Sequence, residues 1–528
     1  MFYLYRVAVL LVIFIIWGGK MSAQENDNAP EACTSIYNYR QPKYETRAVW
    51  LTTLNGLDWP RTKATSPAGV ERQKTELCDI LDRYRQIHIN TVIFQTRIRG
   101  SVIYPSKLEP WDECLTGLPD KHPGYDPLAF CIEECHKRGM ELHAWVVCIP
   151  LGKVAKQKQY GAQSIARREP GLCKTVRQEV FMIPGKSGTA DHIAELCREI
   201  ASNYDVDGIS LDYIRYPESV FHFSDDALCP VRKPSAAQLA DWRRDNITRI
   251  VRKVHDTVKP LKPWVKLSSS PIGKYNNLSR YSAGGWNCYS AVYQDPQRWL
   301  RENLQDMLFP MMYFQGNNFY PFLFDWLENS YGHPVIPGLG IYFLDPKEGK
   351  WTLNTVRAEM HTARASGIGG MAFYRSDFLT RNLKGVYDCC AEEFFPYPAL
   401  TARMSWMGTD SLRPVPPVRV QYAGGQLSWQ GDAPYYNIYG SNQWPVDCSQ
   451  EENLLAARVP GNRFQLSGRA RKVRYYAVTA GDRFGNESPA VQESVTANTG
   501  VKSLNVVRLI NPDLKGQTKN KAKKKKKK

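Results

Sequence analysis

The sequence predicts a (β/α)8 TIM barrel followed by a small all-β sandwich. Three observations carry this. Between residues 44 and 398, apolar runs of strand length alternate with amphipathic runs of helix length, which implies parallel pairing. The long connections, 55–68, 98–126, 148–189, 217–235 and 270–294, all follow strands and so gather at one end of the barrel. At 412–417 the composition turns proline-rich and the helical patterning stops.

The strand and helix pairs run in order as 47–54 with a helix inside 69–87, 91–97 with 127–138, 141–147 with 191–204, and a strand inside 204–217 with 236–258, whose outer face is rich in Arg and Asp. Then come 265–269 with 295–303, 307–313 with 321–330, 334–342 with 353–366, and 370–374 with 381–394. A doubly wound sheet is the alternative, but no glycine-rich nucleotide fingerprint follows the first strand. Beyond the linker, short β-type runs at 418–422, 426–429, 435–439, 463–466, 474–480 and 490–495 give a sandwich over 412–498. Its Leu427-Ser428-Trp429, Tyr436-Asn437-Ile438-Tyr439 and Tyr475-Tyr476-Ala477-Val478-Thr479 segments resemble a fibronectin type III module, which implies a spacer.

The fourth strand organises the barrel. Ile209 and Leu211 share one face, and Gly208, Ser210 and Asp212 share the other. The last inward residue of a barrel strand opens into the active-site mouth, so Asp212 reads as a carboxylate aimed at a ligand. Its bland counterpart is an ion pair with Arg215. Asp207 precedes the strand and belongs at the opposite rim, capping a turn or pairing with an Arg.

Residues 1–23 carry Arg6, the apolar run 7–17 and small residues up to Ala23, the layout of a secretory signal and hence of a periplasmic or extracellular protein. A polar lead follows over 24–43. The net charge is +17, of which nine lysines between Lys515 and Lys528 supply a share that leaves +8 for the rest. The 499–528 tail reads as a solvated, disordered segment with possible electrostatic contact to an anionic polymer or membrane surface. No recognition motif accompanies the charge, so nucleic acid is excluded as a partner. Thirteen cysteines show no CxxC pair; Cys131, Cys135 and His136 cluster without a second ligand pair, so most read as small buried hydrophobes with a few disulfides. No metal and no organic cofactor is implied.

Aromatic residues crowd the predicted strand ends and long loops: Trp50, Tyr104, Trp111, Trp145, Tyr213, Tyr313 and Tyr374 among them. Asn55, Asp58, Gln95, Arg97, His143 and Arg215 stand between them as hydrogen-bonding groups. Sugars present apolar C–H faces and hydroxyl edges, so this mixture points to a carbohydrate cleft. Strand parity turns Gln95, Arg97, His143 and Trp145 inward.

Several segments carry a resemblance to a family: Arg47-Ala48-Val49-Trp50-Leu51-Thr52-Thr53 with Leu57-Asp58-Trp59-Pro60, then Asn90-Thr91-Val92-Ile93-Phe94-Gln95-Thr96-Arg97, then Arg138-Gly139-Met140-Glu141-Leu142-His143-Ala144-Trp145, and the fourth strand. They resemble the glycosyl hydrolase-like family 10 proteins over about residues 43–395. The resemblance implies a barrel glycoside hydrolase acting on bacterial cell-wall glycan, with Asp212 as the catalytic carboxylate. Ser101 and Val147-Cys148 depart from the family pattern.

Glycoside hydrolysis needs a protonated carboxyl for the leaving oxygen and a carboxylate at the anomeric centre. Asp212 suits the second role; Glu218, Asp345, Glu348 and Asp377 are candidates for the first. An N-acetyl group on the substrate could replace a protein nucleophile. Two further readings stand beside the glycosidase: a non-catalytic glycan-binding protein on the same scaffold, supported by Ser101 and Val147, and a surface scaffold tethered through the lysine tail.

Overall fold

The computed structural model describes residues 41–281, 283, 285–409 and 413–493. The expected signal sequence, nearly all of the polar lead and the lysine tail lie outside the described residues. Eight strands form the central sheet: β1 (Thr46–Leu51), β2 (Thr91–Arg97), β3 (Glu141–Val147), β4 (Gly208–Asp212), β5 (Lys266–Ser269), β6 (Met307–Leu308), β7 (Gly338–Leu339) and β8 (Gly370–Phe373). All pairings are parallel, in the order β7-β8-β1-β2-β3-β4-β5-β6. Parallel bridges Leu308–Val335 and Met311–Gly338 join the two edges, so the sheet curls around onto itself. That cyclic order is the one a (β/α)8 barrel requires.

Helices α1 (Pro67–Gln86), α2 (Pro127–Lys137), α3 (Ser187–Asn203), α4 (Ala236–Val258), α5 (Pro296–Arg301), α6 (Tyr320–Glu328) and α7 (Leu353–Ser366) fall between the strands. Their starts are written locally. Ser66 accepts from the Gly69 amide, Asp126 from the Ala129 amide, and Ser235 with Gln238 forms a reciprocal capping box. The expected strands 307–313 and 334–342 shrink to two residues each, because Pro310, Pro334 and Pro337 bring no N–H to the ladder. The expected helix 381–394 starts late: Asn382 and Lys384 stand in the left-handed region (φ 55° and 48°) after the short helix Ser376–Thr380, and helix then runs over Val386–Cys389 and a π-helical turn Cys390–Phe394.

Two apolar layers flank the sheet. Val92, Phe94, Leu142, Ala144 and Val146 face the helices, whereas Ile93, Trp50, Trp145, Val147 and Phe309 fill the lumen. Gly208 makes the lumen possible at its level: a Cβ there would lie 2.6 Å from His143 Nδ1. The long connection after β3 carries its own three-stranded antiparallel sheet (Pro150–Lys153, Glu179–Met182, Cys173–Val176).

The C-terminal part forms two antiparallel sheets from β9 (Val418–Ala423), β10 (Gln426–Gln430), β11 (Tyr435–Ser441), β12 (Leu454–Val459), β13 (Arg463–Gln465), β14 (Tyr475–Gly481) and β15 (Val491–Glu493). One sheet is β9-β10-β13 and the other β12-β11-β14-β15, with Val420, Leu427, Trp429, Tyr436, Ile438 and Val478 in a common core. β12 is absent from the sequence reading. This module meets the barrel at the rim where strands begin. Arg458 of β12 donates to Asp207 Oδ1 (2.5 Å) and Glu141 Oε1 (3.2 Å), and Arg483 donates to both oxygens of Asp205 (2.7 and 2.9 Å). Asp207 thus pairs with an arginine at the opposite rim from Asp212. The twelve described cysteines are free thiols, so the expected few disulfides do not occur among them. Among the described residues, no helix is long and apolar enough to cross a membrane.

Candidate active site

Asp212 is the last residue of β4, and the register of β3 against β4 sets what surrounds it. His143 lies beside Gly208, Trp145 beside Ser210, and Val147 beside Asp212. Trp145 therefore stands one step below the carboxylate and donates its indole Nε1–H to Asp212 Oδ2 (2.9 Å). The Tyr213 amide donates to Oδ1 (2.7 Å), with Tyr213 in the left-handed region (φ 49°) as the chain leaves the strand. Asp212 is 5% exposed and makes no ion pair among the described residues. Arg215 pairs through Nη2 with Glu218 (2.8 Å), and the ion pair with Asp212 that the sequence allowed does not form. Burial pushes the Asp212 carboxyl above its usual range, against the fields of Arg215 and Arg99 and the hydrogen bonds from Tyr213 and Trp145.

Half-buried tyrosines ring this carboxylate. Tyr313 and Tyr374 lie 5.2 Å apart, Tyr342 is 5.6 Å from Tyr313 and 5.8 Å from Tyr374, and Trp50 packs edge-on to Tyr374 at 6.0 Å from the lumen below. The field of Asp212 raises the phenol pKa of both Tyr313 and Tyr374, on which burial acts first. Trp50, Trp145, Tyr213, Arg215, Tyr313 and Tyr374 are thus brought together around Asp212. A carboxylate held by neutral donors on the floor of an aromatic mouth can face a cationic, oxocarbenium-like centre while the rings cover apolar sugar faces.

The other sequence candidates are spent on the fold. Gln95 points inward as expected, but its Oε1 accepts from Thr52 Oγ1 (2.6 Å) and the amides of Thr53 (3.0 Å) and Leu54 (2.9 Å), closing the turn after β1. Parity fails for Arg97 because the β2–β3 register slips between Gln95 and Arg97. Arg97 is fully buried against Glu109 (2.7 and 2.6 Å) and the carbonyls of Val147 and Cys148. Tyr104 is buried edge-on to Tyr204 (5.6 Å) and Trp111 sits on His122 (4.9 Å). His143 lies one layer below Trp145, beside Glu141 (3.2 Å) and Phe309. Asp58 accepts from the amides of Thr52 (2.9 Å) and Asp377 (3.1 Å) and pairs with Arg375, tying the loops after β1 and β8; burial still pushes its pKa up to about 6. Asn55 is exposed and occupies a left-handed turn position (φ 54°), which explains its residue type without a ligand.

Of the candidate acids, Glu218 shares the wall of Asp212: it bonds Arg215, and its field reaches Tyr213 as that of Asp212 does. Asp377 is taken by Arg61 (2.7 Å) and Arg381 (2.8 Å), Asp345 lies near Arg381 (3.5 Å), and Glu348 is exposed. Ser101, the first departure from the family pattern, donates to Asp112 (2.6 Å) in a buried cluster, and Val147 packs in the lumen. Sequence reasoning passes over Arg99, whose signal was its place two residues beyond β2, and Phe309, hidden in the proline-broken sixth strand.

A family model described as Glycosyl hydrolase-like 10 matches residues 45–342. The chain belongs to this family. It is 30% identical over 492 residues to glycosyl hydrolase YngK of Bacillus subtilis, covering 85% of this chain and 93% of that protein. Glycosyl hydrolase DigH of Escherichia coli K12 is 33% identical over 294 residues, 52% of this chain and 66% of that protein. Among solved structures, the glycoside hydrolase domain of PgaB (BpsB) from Bordetella bronchiseptica aligns with a TM-score of 0.47 at 14% identity, covering 68% of this chain and 100% of that one. The family member described here is a glycoside hydrolase.

Proposed function

We propose that this glycoside hydrolase is exported and cuts O-glycosidic bonds in a glycan of the bacterial cell-wall, peptidoglycan type, at the strand-end mouth of the barrel. The observation that carries the reading is Asp212, a buried carboxylate free of ion pairing among the described residues, held by Trp145 and Tyr213 beneath a ring of tyrosines. Asp212 faces the anomeric carbon and stabilises or attacks it as positive charge develops. Glu218, on the same wall and paired with Arg215, is the candidate source of the proton that the leaving oxygen takes. Tyr213, Tyr313 and Tyr374 hold the sugar by its apolar faces. The apolar leader ending near Ala23 supports export, the lysine tail a contact with anionic polymer or membrane surface, and the C-terminal sheets a fibronectin type III-like spacer.

The test is a product assay with peptide-free peptidoglycan strands, chitin and plant polysaccharides, read by mass spectrometry. Wild type releases soluble saccharides from the first and Asp212→Asn releases essentially none. Binding by both forms without release by either would replace the reading with a non-catalytic glycan-binding protein.

A further inference from the structure

Arg215 stands three residues beyond Asp212 and is 4% exposed. Its Nη2 donates to Glu218 Oε1 (2.8 Å), and the rings of Tyr213 and Trp286 lie 4.3 and 5.3 Å from its guanidinium carbon. Its Nε and Nη1 are buried and have no hydrogen-bond partner among the described residues. A buried donor without an acceptor is destabilising, and more so when it is charged. A group that is always ionised cannot escape that cost by losing its proton. The position therefore calls for an acceptor that the described residues do not provide.

The neighbourhood narrows what that acceptor is. Glu218 occupies only one nitrogen, and Asp212 makes no ion pair with Arg215. A second cation, Arg99, is half-buried in no ion pair among the described residues, and its field reaches both Asp212 and Tyr213. Half-exposed Trp286 borders the guanidinium, so the place belongs to the wall of the mouth. Nε and Nη1 lie on different edges of the guanidinium, so a sugar hydroxyl or a carboxylate oxygen would each meet one of them, but the hydrogen bond from a charged donor to a carboxylate is roughly twice as strong.

We propose that Arg215, supported by Arg99, binds a carboxylate carried by the sugar next to Asp212, so that the enzyme selects glycans containing an acidic sugar over neutral ones. This rests on the glycosidase reading above and adds the charge of its substrate. Arg215 is then a specificity residue.

The test compares peptide-free peptidoglycan strands with the same strands after their carboxyls are converted to methylamides, using the full chain as wild type, Arg215→Gln, Arg215→Lys and Arg99→Gln. Wild-type kcat/KM is expected to favour the free acid by roughly tenfold or more. Arg215→Gln brings that ratio close to one, Arg215→Lys keeps part of it, and Arg99→Gln lowers it. Equal cleavage of both strands by wild type, or an undiminished ratio in Arg215→Gln, overturns the proposal. Should Arg215→Gln not fold, the wild-type ratio and Arg99→Gln decide it. If wild type cuts neither strand, the glycosidase reading fails separately, and the preference is then read as binding affinity by tryptophan fluorescence: equal affinities overturn it.

Discussion

Glu359 gives a prediction whose magnitude follows from its surroundings. It lies on the buried face of α7 with Val356, Met360 and Ala363, fully shielded from solvent, and neither carboxyl oxygen has a hydrogen-bond partner among the described residues. Burial alone pushes its pKa up to about 9, from 4.5 in the unfolded chain. Below about pH 4.5 both states hold the proton and the group has no effect on the pH dependence. Between 4.5 and 9 the unfolded chain releases the proton while the folded chain keeps it, so stability falls by about 1.4 kcal/mol per pH unit. At pH 7 the loss amounts to about 3 kcal/mol. Glu359→Gln removes the titration, so it should match wild type near pH 4.5 and exceed it increasingly above. Unfolding followed by tryptophan fluorescence at pH 5, 6, 7 and 8 checks this, the gap in melting midpoint widening by roughly 5 °C or more across the series. A gap that stays constant with pH refutes the reasoning, because it would mean that the folded carboxyl ionises at its ordinary pKa.

Three other outcomes follow from particular contacts. Trp145→Phe removes the indole donor from Asp212 Oδ2, which raises the carboxyl pKa further; kcat should fall by roughly tenfold or more and the acidic limb of the pH–rate profile should move to higher pH. Gly208→Ala drives a methyl against the His143 ring and should cost about 1–3 kcal/mol, seen as a lower melting midpoint. Asp207 is raised by burial but carried down to about 2 by Arg458 and His136, so its stabilisation is present above about pH 4 and lost as pH falls towards 2. Arg458→Met should cost about 3 kcal/mol near neutrality and leave a shallower acid transition.

The parts of the fold that were legible are those where one local signal settles the matter. β2, β3, α4 and α7 have the ranges that period and caps indicate, and the period-two pattern of β3 puts Trp145 in the lumen beneath Asp212. Asp212 itself was legible because it ends a strand whose other face is apolar. Gln95 and Arg97 make structural contacts that lie outside their own strand. Gln95 faces inward, yet the β1 turn folds over it, and a one-residue slip takes Arg97 off the lumen face. β12 escaped because Leu-Leu-Ala-Ala-Arg-Val follows Glu-Glu-Asn and has no β-branched residue before Val459. The two nitrogens of Arg215 without a partner among the described residues are a matter of three-dimensional neighbours and have no sequence signature at all.

The two ends of the barrel do different work, and this can be separated experimentally. Arg458 reaches from β12 to Asp207 and Glu141, and Glu141 also accepts from Lys266 Nζ (2.8 and 2.9 Å) and Thr401 Oγ1 (2.7 Å). These groups close the barrel floor, where strands begin, whereas Asp212 and the tyrosines stand where strands end. Removing residues 413–528 would strip Arg458 from a buried cluster of two carboxylates and one lysine, a loss of roughly 3–5 kcal/mol. The truncated protein should therefore melt earlier yet release the same saccharides, with the same preference between free-acid and methylamide strands, from whatever fraction stays folded. Unchanged stability together with altered products would show instead that the module shapes the cleft, and the assignment of its contacts to the floor of the barrel would have to be abandoned.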